Sequence, residues 1–196
     1  MSIKLSDETE RTINQIKIVA LGDSLTFGFP YSPSYSWVHL VQESLCVPFY
    51  NKGINGDTTS DMLRRFGRDC LDNNPSHVII TGGTNDSCTP VAADKVLGNI
   101  AAMTEMAFKN GIIPIIGLPP PLVFSYDEKM LAPYREAMKD FAAEKSINTI
   151  NFYQAFIDGN GSVQTNLFED GAHPNLAGYK AMAAIALYSL KELLNL

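Results

Sequence analysis

Histidine is scarce in this chain: His39, His77 and His173 are the whole supply in 196 residues. Cysteine is as rare. Cys46, Cys70 and Cys88 are odd in number and far apart, so they form no disulfide framework and no Cys-x-x-Cys or Cys/His spacing for zinc. The expected state is three buried free thiols in a reducing compartment. Basic residues are outnumbered, 15 against 21 acidic, and a net charge of −6 is the wrong sign for a nucleic-acid partner. Arg64, Arg65 and Arg68 lie close together, but they read as the solvated face of a helix. No apolar run is long enough to span a bilayer, and residues 1–15 are charged and polar without the apolar centre of a signal peptide. A cytoplasmic location is the resulting expectation. Gly-x-Gly-x-x-Gly and Gly-Lys-Ser/Thr loops are also missing, which weighs against a nucleotide-binding module.

What the chain does contain is apolar sequence in regular alternation. At 45% hydrophobic and 18% charged residues it has the composition of a globular protein, and its length suits one domain, 1–196, with residues 1–15 as an N-terminal extension. Short apolar runs at 16–21, 47–51, 77–81, 112–117 and 148–152 predict strands. Amphipathic stretches near 36–46, 59–73, 91–110, 127–145 and 175–193 predict helices. In the last of these, Tyr179, Met182, Ala183, Ala186, Leu190 and Leu193 recur at helical spacing and should face the sheet. Strict alternation of strand and helix implies an α/β fold: a three-layer α/β/α sandwich around a five-stranded parallel sheet, flavodoxin-like in topology. Asn110-Gly111 reads as a helix end with Gly111 at positive φ. The proline run after the fourth strand, 119–121, reads as the start of a surface loop reaching to Tyr126.

Ser24 follows the first strand in Gly22-Asp23-Ser24-Leu25, at the carboxyl end of the sheet where such folds place their ligand sites. A serine there acts as a nucleophile only with a base and an oxyanion site. His39 falls inside a helix and His77 at a strand start, so both read as structural. His173 sits in Asp170-Gly171-Ala172-His173-Pro174, and the following proline keeps it out of the helix. Asp170, three residues earlier, can reach the imidazole and fix its tautomer, although the same residues also suit an Asx-turn that merely starts a helix. Gly56, after the second strand, and Asn85, after the third, can offer a backbone N–H and a side-chain amide to an oxyanion. Both also belong to residue types common in turns. Asp23, Asp57 and Asp86 read as braces of their loops, and their spacing suggests no metal site.

Gly22-Asp23-Ser24-Leu25, Gly56, Gly83-Thr84-Asn85-Asp86 and Asp170-x-x-His173 together resemble the four sequence blocks of the SGNH (GDSL) hydrolase family, in the family's order and across nearly the whole chain. The resemblance implies serine ester hydrolysis with Ser24 as nucleophile, His173 as base and Asp170 as its orienter. It implies an oxyanion hole made of the Ser24 N–H, the Gly56 N–H and the Asn85 side chain. No metal or organic cofactor is required. The expected substrate is a small short-chain acyl or acetyl ester, with Phe27, Phe29, Phe124 and Phe168 as a candidate apolar wall. Lysophospholipid, thioester and carbohydrate-acetate cleavage remain alternatives within the family, and a non-catalytic flavodoxin-like binding module is the alternative outside it. The sequence leaves the oligomeric state open.

Overall fold

The computed structural model describes residues 16–89 and 91–196; the expected N-terminal extension, 1–15, lies outside the described residues. Five strands form one parallel sheet in the order β2-β1-β3-β4-β5. They are β1 (Ile18–Gly22), β2 (Phe49–Gly53), β3 (His77–Thr81), β4 (Ile113–Leu118) and β5 (Asn148–Asn151). Central strands in such a sheet are covered on both faces, so nearly every residue must be apolar. β1 meets this with Ile18-Val19-Ala20-Leu21-Gly22, buried throughout.

Side chains on a strand alternate between faces, and the core divides accordingly. Ile18, Ala20, Ile79, Ile115 and Ile150 point to one layer. It is built by α2 (Trp37–Leu45) and the last helix, α7 (Leu176–Leu194), through Trp37, Val41, Tyr179, Met182 and Leu190. Val19, Leu21, Val78, Ile80 and Ile116 point to the other. That layer holds α3 (Thr59–Asp69), α5 (Ala93–Lys109) and α6 (Ser125–Glu144), which bury Met62, Phe66, Ile100, Met103, Tyr134 and Met138. Each large aliphatic side chain buried this way stabilises the fold by about 1.5–3 kcal/mol. Asn110 and Gly111 end α5 as expected, with Gly111 at φ +70°.

Two short helices escaped the sequence pattern. α1 (Ser24–Phe27) and α4 (Thr84–Ser87) have four residues each, too few to show a period. Both begin directly past a strand. They lift Ser24 and Asn85 from the carboxyl ends of β1 and β3, the neighbours between which the strand order reverses.

Three other expectations are corrected. The proline run is buried rather than superficial, from Pro119 to Leu122. Prolines bring no N–H to satisfy, and the Leu122 N–H is taken up by Glu128 Oε2 at 2.9 Å. Only residues 123–126 surface. Each cysteine caps the end of a helix, but only Cys70 turns into the core, beside Met62 and Phe66, while Cys46 and Cys88 are exposed; all three are free. Arg64 and Arg68 are solvated, but Arg65 is not: its side chain is 8% exposed.

Candidate active site

The turn that carries Ser24 is set by Asp23. It caps α1, its Oδ1 accepting the Leu25 N–H at 2.9 Å while its carbonyl accepts from Thr26 and Phe27. Gly28 closes the helix at φ +108°, donating to the Ser24 carbonyl. Ser24 is therefore held at the first helical position, where its own N–H has no acceptor within the helix. Asp23 is only 1% exposed, and its Oδ2 has no hydrogen-bond partner among the described residues. Burial, with smaller contributions from the charges of Asp86 and Asp57, pushes its carboxyl up to about 7.

His173 is positioned by the turn that precedes α7. Asp170 Oδ1 accepts the N–H groups of Ala172 and His173 at 3.0 and 2.8 Å, with Gly171 supplying the positive φ of +88° that the turn requires. The second oxygen, Oδ2, accepts the His173 Nδ1–H at 2.8 Å. Partial burial raises the Asp170 carboxyl, but the hydrogen bonds from the His173 N–H and ring and from Ala172 outweigh it, so it lies below the usual carboxylate range. With Nδ1 protonated, Nε2 carries the lone pair, and it stands 3.1 Å from Ser24 Oγ. The edge of the Phe29 ring packs on the imidazole, centroids 4.6 Å apart, and the buried Tyr179 hydroxyl holds Phe29 by its carbonyl at 2.6 Å.

The two further loops are tied to this centre. Ile54 donates to the Gly22 carbonyl at 3.0 Å, anchoring the loop that carries Gly56 beside β1. Gly56 has φ +83° and nothing within 4 Å of where a Cβ would stand, so its backbone borders open space. Asn85 Nδ2 donates to the Asp57 carbonyl at 2.9 Å, which occupies one of its two protons and leaves the other. Asp86, buried, accepts the N–H and hydroxyl of Thr59 at the start of α3. Asp57 accepts from Arg65 Nε at 2.6 Å. The acids thus serve as braces, and among the described residues no group of His, Cys, Asp or Glu is arranged to hold a metal.

The four phenylalanines separate. Phe29 and Phe124 are exposed at the rim, the latter lying over Gly171. Phe27 is half-buried at the end of α1. Phe168 belongs to the core and stacks on Phe156 at 4.7 Å, which corrects its assignment to a substrate wall. At this point the chain pairs with Pro174 across an antiparallel bridge, and the Phe168 side chain lies in the layer of Tyr179 and Met182. His39 and His77 stand away from this chain of contacts, His77 against Ser76 and His39 in the first turn of α2. Sequence reasoning missed Arg65. Its signal was its place beside Met62, Phe66 and Asp69, the inward stripe of α3.

A serine, an imidazole and a carboxylate in hydrogen-bonded sequence, with amide donors on adjoining loops, suit acyl transfer. The comparisons agree. The model of the GDSL-like lipase/acylhydrolase family matches residues 20–181. Esterase TesA of Pseudomonas aeruginosa is 28% identical over 185 residues, 90% of this chain and 89% of that protein. A thioesterase 1/protease 1/lysophospholipase L1 of Escherichia coli K12 is 25% identical over 183 residues, covering 91% and 85%. The solved structure of a lipolytic-type G-D-S-L family protein from Desulfitobacterium hafniense superposes with a TM-score of 0.83 at 32% identity, over 88% of this chain and 98% of that one. The chain belongs to the GDSL-like lipase/acylhydrolase family, and it is a carboxylic ester hydrolase.

Proposed function

We propose that the protein hydrolyses short-chain acyl or acetyl esters through an acyl-enzyme on Ser24. The observation that carries this reading is the continuous hydrogen-bonded line from Ser24 Oγ through His173 to Asp170, at 3.1 and 2.8 Å. Ser24 Oγ attacks the ester carbonyl while His173 Nε2 takes its proton. Asp170 keeps the proton-bearing Nδ1 in place and stabilises the imidazolium that forms. The Ser24 N–H, the Gly56 N–H and the free proton of Asn85 Nδ2 face the tetrahedral oxyanion. A single donor of this kind contributes about 3–4 kcal/mol to the transition state. Collapse releases the alcohol, protonated by His173, and water then repeats the sequence to free the acid. No step draws on a cofactor.

A second reading, thioester or lysophospholipid cleavage, is favoured by the exposed rings of Phe29 and Phe124 beside the site, which suit a longer acyl chain, and by the name of the Escherichia coli relative. Turnover of p-nitrophenyl acetate, butyrate and octanoate by the wild type and Ser24→Ala separates the readings. The expected result is highest kcat/KM for acetate or butyrate, with Ser24→Ala reduced on the order of 10⁶-fold in kcat. Preference for octanoate transfers the assignment to the second reading, and undiminished turnover by the variant removes both.

A further inference from the structure

The buried guanidinium of Arg65 stands where the nucleophile strand meets the Gly56 loop. We infer that Arg65 is a positioning residue for the oxyanion hole, an inference that rests on the reaction proposed above. Its fork is shared among three acceptors. Nη2 donates to the Gly22 carbonyl at 2.8 Å, Nε to Asp57 Oδ2 at 2.6 Å and Nη1 to Asp69 Oδ2 at 3.0 Å. Gly22 lies two residues before Ser24, and its carbonyl also receives the Ile54 N–H that anchors the Gly56 loop. Asp57 follows Gly56 directly, and its carbonyl holds Asn85 Nδ2. The three candidate donors are thus joined to Arg65 by short paths: Ser24 through Gly22 and Asp23, and Gly56 and Asn85 each through Asp57.

The chemistry of the side chain fits this task. A planar guanidinium can donate in three directions from a fixed frame, whereas an ammonium on a flexible stem cannot hold the same three acceptors at once. Asp69 fixes the frame from behind. Its carboxyl is held down to about 2, by Arg68 first and then by Arg65, against its own partial burial. A buried ion pair by itself says little about function, since such pairs often add nothing to stability. What singles this one out is the destination of its remaining arms. Nη2 reaches the Gly22 backbone carbonyl and Nε the Asp57 carboxylate, on the two segments that flank the proposed place of an oxyanion that exists only in the transition state. Misplacing those donors by a fraction of an ångström weakens bonds made there and leaves ground-state contacts with the ester untouched.

The test is a cycle of Arg65→Lys and Asn85→Ala, with kcat and KM measured on p-nitrophenyl butyrate and Ser24→Ala assayed alongside. Arg65→Lys is expected to lower kcat about 10–100-fold, less than loss of a whole donor, with KM within about twofold. In the Asn85→Ala background the same change should lower kcat by a smaller factor than in the wild type, because one of the donors that Arg65 positions is already gone. An equal factor in both backgrounds, or a change confined to KM, overturns the inference. Should Arg65→Lys fail to fold, Asp57→Asn takes its place in the cycle with the same expectations. Turnover retained by Ser24→Ala would overturn the proposed reaction and this inference with it. An inactive Ser24→Ala beside an additive cycle would overturn the inference alone.

Discussion

Asp23→Asn should stabilise the protein at alkaline pH and leave it unchanged in acid. The Asp23 carboxyl lies at about 7 in the fold against an ordinary 3.8, because burial disfavours its ionised form. A group raised in the folded state contributes its full stability below the unfolded value and loses it as pH rises through the folded one. Wild-type stability should therefore fall by about 1.4 kcal/mol per pH unit between roughly pH 4 and pH 7, on this account alone. The accumulated difference above pH 8 is about 4 kcal/mol, undiminished by solvent because the group is almost wholly buried. Asparagine keeps the shape and an oxygen for the Leu25 N–H, and it puts a neutral amide where Oδ2 has no partner. It cannot ionise. Urea denaturation of both proteins at pH 4.5, 6 and 8, followed by the fluorescence of the single, buried Trp37, reads the difference directly. The gap should open with pH in favour of Asp23→Asn. A constant gap, or one that closes as pH rises, would refute the buried neutral carboxyl.

Asp170→Asn should reduce kcat about 10⁴-fold with little effect on the urea midpoint, since the amide presents a donor to Nδ1 and favours the wrong tautomer. The carboxylate is half exposed, so the fold does not depend on its charge; a kcat within tenfold of wild type would contradict its assigned role. Gly53→Ala should destabilise by about 3 kcal/mol or more, because its Cβ would stand 2.1 Å from the Phe27 backbone nitrogen at the end of α1. Gly67→Ala, in the last turn of α3 with nothing within 4 Å, should instead stabilise by about 0.5 kcal/mol, and urea midpoints compare the two.

The layers and the site were readable to different depths. β3 runs from His77 to Thr81 as its apolar pattern predicts, and α7 buries Tyr179, Met182, Ala183, Ala186 and Leu190 as its period requires. Long amphipathic and doubly buried segments announce themselves because burial leaves a repeat in the sequence. Ser24, Asp170 and His173, which the structure brings into one hydrogen-bonded line, were readable as candidates because few residue types can do that chemistry and only one histidine lies in a loop. Arg65 was not, because a charge reads as solvated until its partners are known, and Gly22 and Asp57 are 43 and 8 residues away along the chain. Phe168 was misplaced for the converse reason: an aromatic beside a catalytic turn looks the same in sequence whether it faces the ligand or the core. The buried proline run was missed because its lack of N–H groups, read as a sheet breaker, is also what lets it go inside.

Acid quench of the enzyme during turnover of p-nitrophenyl butyrate, followed by peptide mass spectrometry, bears most directly on the proposed reaction. A butyryl group on the peptide bearing Gly22-Asp23-Ser24-Leu25, fragmenting to Ser24 and absent from Ser24→Ala, is the predicted result. Acylation of another residue, or release of p-nitrophenol by Ser24→Ala at the wild-type rate, would contradict it.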